Sequence, residues 1–212
     1  MAASATMETA RGFTEAPPKV EEKPEWWASP ATLGLFGFGL TTIVAGLTNL
    51  PTPYANGVTN STVFPMAMAF GGACQFIAGG IALRKGNMFA GTAFTGYGAF
   101  WWAFTLLLLW DTAAPITLYG IAAFTFVWMM FTLAFLINAP KHGWGIFMVF
   151  LLLWIAFILL TIKFWMLGGG TIPSNGLDWV IGGEIVATGL MAYYVGLADL
   201  TNWNYGRKVL PT

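Results

Sequence analysis

The sequence predicts an all-α integral membrane protein built from six transmembrane helices. Three observations carry this. Of the 212 residues, 57% are apolar and only 8% are charged, where ordinary soluble domains carry roughly 25% charge. Eight of the eighteen charged residues fall within the first 28, which leaves ten for all the rest of the chain. Six long apolar runs then follow one another, each close to the ~20 residues that a helix needs to cross the hydrocarbon core.

Taken in order, residues 1–28 are polar, acidic and proline-bearing (Pro17, Pro18, Pro24) and lack the apolar core of a signal peptide. They read as a flexible tail, with Trp26 and Trp27 as interfacial anchors. A six-helix domain over 29–205 follows, and 206–212 form a short C-terminal tail. The domain opens at Ser29-Pro30, a cap residue followed by proline at the first helical position. Its apolar runs cover about 31–50, 63–83, 88–110, 115–138, 144–167 and 178–200. The breaks between them carry turn chemistry: Pro51-Thr52-Pro53, Arg84 to Asn87, Asp111 to Pro115, Pro140 to Gly143, and Gly168 to Gly176. Any one run alone reads equally as a buried soluble helix. Six in succession with almost no charge between them do not. A membrane β-barrel would show alternating segments of ~10 residues, and these are absent.

Orientation follows from the basic residues. Arg84 and Lys85 lie in the second break, Lys141 in the fourth, and Arg207 and Lys208 after the last run. Of the six Lys and Arg beyond the tail, Lys163 alone falls elsewhere, near the end of helix 5. Both termini are therefore expected on the cytoplasmic side. Asn60-Ser61-Thr62 is then a glycosylation triplet on the outer face, a pattern common by chance.

Several functions are excluded. Nine Lys and Arg balance nine Asp and Glu, so no basic surface exists to neutralise nucleic-acid phosphates. Cys74 is the single cysteine; an intramolecular disulfide is impossible, and its apolar setting suits a buried small residue rather than a reactive thiol. His142 is the single histidine and sits in a break. No HExxH, CxxC, GxSxG or P-loop pattern occurs, so neither catalytic residues, nor a metal site, nor a cofactor is indicated.

Polar groups within the runs are few. Gln75 lies in helix 2, and Asn49 at the outer end of helix 1; with Ser29, Asn87 and Glu184 they are the further candidates for a pathway or coupling role. Lys163 stands near the outer end of helix 5, where snorkelling to the interface is expected. Asp199 stands near Arg207 and Lys208, where a solvated pair is expected. Glu184 falls six residues, roughly 9 Å, beyond Asp178 along helix 6. An ionisable group at that depth is either functional or an interfacial carboxylate, and both readings stay open. Asn87 is placed to cap helix 3, as Ser29 is for helix 1. Glycines crowd helices 1–3, with Gly72 and Gly79 on one face of helix 2. Such faces allow close helix approach, within one protomer, between subunits or along a narrow lumen; periodicity does not separate these. From the residues alone the chain is a six-helix, glycine-rich transporter or channel for a small solute.

Three segments narrow this. Ser29-Pro30-Ala31-Thr32-Leu33-Gly34-Leu35-Phe36-Gly37-Phe38-Gly39 resembles the N-P-A-P-L-G-L signature, followed by x-G-F-G, of the acetate uptake transporter family, with Ser29 and Thr32 as substitutions. Gly71-Gly72 with Gln75 and Ala78-Gly79 is similar to the same family. So are Gly86-Asn87-Met88-Phe89 and Thr92 through Trp101, and the end of the chain around Gly206-Arg207 and Leu210-Pro211. The resemblance spans about residues 29–211. It implies a carrier or channel for acetate, and in some members succinate, in the plasma membrane. It implies homo-hexamers with a narrow pore in each protomer, closed midway by a Phe, a Tyr and a Leu. On this sequence those map onto Phe38, Tyr97 and Leu153, the last beside Leu151 and Leu152. Without the resemblance all three would read as packing residues.

Depth supports the mapping. Phe38 lies roughly 13 Å from Ser29, Tyr97 roughly 15 Å from Asn87, and Leu153 roughly 15 Å from Gly143. All three helices start on the same side, so the three side chains are expected near the middle of a ~30 Å core. An apolar neck there excludes hydrated ions and tolerates the methyl end of a small monocarboxylate. A six-helix channel for urea or amides is the alternative in the same class. A membrane scaffold without transport is the alternative from another class.

Overall fold

The computed structural model describes residues 28–51, 60–110, 116–171 and 175–212. Regular structure among them is entirely helical. Helix α1 spans Ala31–Thr48. Helix α2 is continuous but has three parts: Asn60–Met66, a π-helical stretch Ala67–Cys74, and Gln75–Arg84. Helix α3 spans Met88–Trp110, α4 Leu118–Asn138, α5 Trp144–Gly168 and α6 Asn175–Tyr205. A single 3₁₀ turn, Ala139–His142, joins α4 to α5. All six are long and apolar enough to cross a membrane, as the six runs predict. The last helix is the one most extended beyond its run, because the polar residues at both of its ends remain helical. The tail with Trp26 and Trp27, the loop around Asn56 and Gly57, and the break from Asp111 to Pro115 lie outside the described residues.

Local chemistry explains the helix starts. The first backbone N–H groups of a helix have no partner within it. Asn87 Oδ1 accepts from Ala90 N at 2.9 Å to open α3, and Thr117 Oγ1 accepts from Gly120 N at 3.0 Å to open α4. Helix α1 differs from the expectation. Pro30, with φ −75° and ψ −8°, occupies the cap position itself, and Ser29 Oγ accepts from Ala31 N at 3.3 Å from outside the helix. The start is thus displaced by one residue. At the other end of the chain, Gly206 turns out of α6 with φ 60°, a left-handed conformation that suits glycine. Asn202 then holds the C-terminal tail: its Oδ1 accepts from Val209 N and Leu210 N at 2.6 and 2.9 Å, and its Nδ2 donates to Leu210 O at 2.8 Å.

The π-helical stretch has no counterpart in the apolar pattern. Pro65, inside α2, lacks an N–H and clashes with the preceding turn. Gly71 and Gly72 follow, and the backbone between widens. One carbonyl in this stretch finds a side-chain partner: Trp102 Nε1 donates to Met68 O at 3.0 Å. Wide π turns often mark functional segments, and this one ends immediately before Gln75.

Glycines set the helix crossings. A Cβ on Gly79 would come 2.3 Å from the backbone N of Thr95 on α3, and one on Gly72 would come 2.2 Å from Trp102 Nε1, also on α3. The α2 glycine face is therefore an intra-protomer contact. Helix α1 meets α6 in the same way at Gly39 and Gly189. Outward-facing positions such as Ile77, Val127 and Ile137 are exposed and apolar, as lipid requires.

Candidate substrate pathway

Phe38, Tyr97 and Leu153 gather around one cavity. They come from α1, α3 and α5, the three helices that start on one side. All are buried, with 4%, 3% and 6% of their surfaces exposed, within a single apolar cluster. The Phe38 and Tyr97 rings lie with centroids 5.6 Å apart at an interplanar angle of 57°. Counted from the helix starts, they sit seven, nine and nine residues in, roughly 10–14 Å deep.

Two cavities flank this cluster. One, of about 340 Å³, extends toward the ends of α1 and α5 and includes Asn49, Thr42, Thr125 and Phe164 in its wall. The other, of about 180 Å³, extends toward the starts of α1 and α3 and includes Gln75, Asn87, Tyr97 and His142. Phe38 and Leu153 are the two residues that line both. Neither Leu151 nor Leu152 lines either one, so position 153 is the leucine that divides them. The walls are dominated by Phe, Leu, Val, Ile and Ala on both sides.

Tyr97 enters through its ring rather than its hydroxyl. Its OH lies 2.8 Å from Thr132 Oγ1, and Thr132 in turn donates to Trp128 O at 2.7 Å. The phenol therefore donates to Thr132 on α4. With its proton committed to Thr132, this hydroxyl has no hydrogen left to donate to a carboxylate.

The other predicted positions divide. Gln75 is 1% exposed, lines the smaller cavity, and its Oε1 has no hydrogen-bond partner among the described residues. Asn87 lines the same cavity while capping α3. Asn49 lines the larger cavity and donates from Nδ2 to Ala45 O at 3.0 Å. Ser29 is exposed and lines neither. Glu184 also lines neither. Its Oε1 accepts from Thr188 Oγ1 at 3.1 Å, and its Oε2 is buried without a partner among the described residues. Asp199 does not pair with Arg207 or Lys208. It accepts from Thr32 Oγ1 at 2.6 Å, which ties α6 to the first turn of α1.

Two residues gain a place that the sequence did not give them. His142 is not merely a loop residue: it lines the smaller cavity and stacks on Phe89, centroids 3.8 Å apart. Lys163 does not snorkel outward. It turns in toward α6 and α1, with Nζ 2.8 Å from Asp178 Oδ1 and 3.4 Å from Asn49 Oδ1. The signal for Lys163 was an Asp fifteen residues on, across one helix turnaround; only the packing of α5 on α6 shows that the two face each other.

Known proteins share this architecture. The solved structure of the bacterial acetate channel SatP superposes with a TM-score of 0.76 at 31% sequence identity, covering 87% of this chain and 98% of that one. The succinate-acetate/proton symporter SatP of Escherichia coli is 34% identical over 189 residues, 87% of this chain and 94% of the relative. Acetate permease A of Emericella nidulans is 32% identical over 200 residues, 87% of this chain and 65% of the relative. The family model described as the GPR1/FUN34/yaaH family matches residues 13–206. This chain is a multi-pass membrane protein of the transporter class, not an enzyme, and it belongs to the GPR1/FUN34/yaaH family.

Proposed function

We propose that the chain conducts acetate, and related small carboxylates, through a pathway in each protomer that is closed at Phe38, Tyr97 and Leu153. The observation that carries this reading is the pair of cavities whose only common wall residues are Phe38 and Leu153. A solute that moves between them passes those two side chains and the Tyr97 ring. The passage is apolar, so a hydrated inorganic ion meets a large desolvation barrier there. A two-carbon acid presents a methyl group to the neck and only one carboxyl group to be desolvated. If a proton crosses with the carboxylate, no net charge enters the apolar wall; the Escherichia coli relative is named a proton symporter.

Polar groups stand on both sides of the neck. Gln75 and Asn87 serve the smaller cavity, and the unpartnered Gln75 carbonyl accepts from a protonated acid. Asn49 serves the larger one. We place both termini on the cytoplasmic side of the plasma membrane, the smaller cavity facing inward, and the protomers in a homo-hexamer, as the basic residues and the family resemblance support. Reconstituted vesicles test the reading. Labelled acetate uptake should be competed by unlabelled acetate and not by urea. Competition by urea selects the amide-channel alternative, and no uptake selects a scaffold.

A further inference from the structure

The larger cavity offers an entering carboxylate no charge of its own, and its donors are few: the Trp101 indole N–H, which has no partner among the described residues, and one Asn49 N–H. Thr42 Oγ1 donates to Phe38 O at 2.7 Å, Thr48 Oγ1 to Ala45 O at 2.7 Å, and Thr125 Oγ1 to Ala122 O at 3.0 Å. Each hydroxyl hydrogen is thus committed to a helix carbonyl, and each remaining lone pair repels a carboxylate. Asn49 likewise spends one N–H on Ala45 O. An anion entering this apolar space needs a positive charge near its mouth.

Lys163 supplies the one cation at this end of the bundle among the described residues. Arg84, Lys85, Lys141, Arg207 and Lys208 all lie at or just beyond the helix ends on the opposite side. Lys163 immediately precedes Phe164, a wall residue of the larger cavity, and its Nζ reaches Asn49, another wall residue. An ammonium has three N–H donors. Asn49 Oδ1 accepts one of them, Asp178 Oδ1 stands 2.8 Å away as the ion-pair partner, and donor capacity is left over among the described residues. The pair is only partly buried: the side chains are 16% and 26% accessible. Asp178 also shows what this ammonium binds. Its side chain ends in the same carboxylate group that acetate carries, held at 2.8 Å.

We propose that Lys163 is a carboxylate-binding site at the mouth of the larger cavity, with Asp178 as a resident competitor that the substrate displaces or shares. Asp178 holds the ammonium in place, and at the same time lowers its affinity for a second carboxylate. An arriving acetate takes the donor capacity left over, then passes Asn49 into the cavity. This assignment rests on the acetate reading above and adds a residue that sets affinity from one face of the membrane.

The test is the concentration dependence of labelled acetate transport by the full chain in right-side-out and inside-out membrane vesicles at one fixed pH. Lys163→Gln should raise KM about tenfold, since a charge-assisted hydrogen bond is lost. Lys163→Arg should restore it to within about twofold, because the charge and donors remain. Asp178→Asn should lower KM severalfold, because the competitor loses its charge. Maximal rates should change little, and the shifts should appear for acetate offered from the Lys163 face only. The opposite signs are the signature, since a purely structural strap weakened from either side moves both variants the same way. Shifts of equal sign, no shift, or equal shifts from both faces overturn the proposal. Should one variant not fold, the direction of KM in the other decides alone. Wild-type vesicles that transport no acetate overturn the transport reading itself, a result distinct from failure of the Lys163 assignment.

Discussion

The Tyr97 hydroxyl donates to Thr132 on α4, 2.8 Å away, while its ring faces Phe38 on α1 at 5.6 Å between centroids. One side chain thus does two jobs: the phenol anchors α3 to α4, and the ring lines the smaller cavity. The two separate by mutation. Tyr97→Phe should leave acetate flux within about twofold of wild type but lower stability by about 1 kcal/mol, the net worth of one buried hydrogen bond. Thermal unfolding in mild detergent and vesicle uptake read the two effects independently. A large loss of flux in a stable Tyr97→Phe protein would show that the hydroxyl serves the solute.

The neck itself should respond to size. Phe38→Ala and Leu153→Ala each remove side-chain volume from the wall common to both cavities. Either change should raise acetate flux or admit larger carboxylates such as succinate. Truncating a buried Phe or Leu also costs roughly 2–5 kcal/mol of packing, so folding is to be checked by elution profile before rates are compared. Unaltered flux and selectivity with alanine at 38, 97 and 153 would return all three to ordinary packing.

Gly39 and Gly189 should not tolerate side chains. A Cβ on Gly39 comes 2.8 Å from Gly189 O, and one on Gly189 comes 2.7 Å from Gly39 O. Both obstacles are backbone and cannot rotate away. Gly39→Leu or Gly189→Leu should separate α1 from α6 and cost at least the 1–3 kcal/mol typical of overpacking. The yield of folded protein after mild solubilisation measures this. Gly80, whose Cβ would meet nothing within 4 Å, serves as the matched control.

Topology is open to direct labelling. Gly57→Cys, in the loop between α1 and α2, should react with a membrane-impermeant thiol reagent added from outside intact cells, in a Cys74→Ala background. Labelling only after permeabilisation would invert the orientation read from the basic residues.

Much of the fold was legible because the membrane imposes one rule on every segment: about 20 apolar residues, then a turn. The six helices and the approximate depth of Phe38, Tyr97 and Leu153 follow from that rule and from counting. What was not legible depends on helix rotation and on contacts across the chain. Lys163 looks like a snorkelling residue until α5 is docked on α6, and Asp199 looks like a partner for Arg207 until α1 brings Thr32 against it. Depth alone leaves Glu184 open between a functional and an interfacial role; the rotation of α6, which keeps it out of the wall of both cavities, is not readable from depth. The π-helical stretch in α2 shifts the register after Pro65, so a strict 3.6-residue wheel could not tell which cavity Gln75 lines.

Because the two cavities share only Phe38 and Leu153, what divides them is side chain and not backbone. A division of that kind opens by rotamer motion, whereas tilting whole helices belongs to the microsecond-to-millisecond range. The glycine contacts that lock α1 to α6 and α2 to α3 oppose such tilting. On the proposed pathway, passage would need a brief local swing of two apolar groups in a rigid frame, and its rate should track the packing around those groups more than any large change of shape.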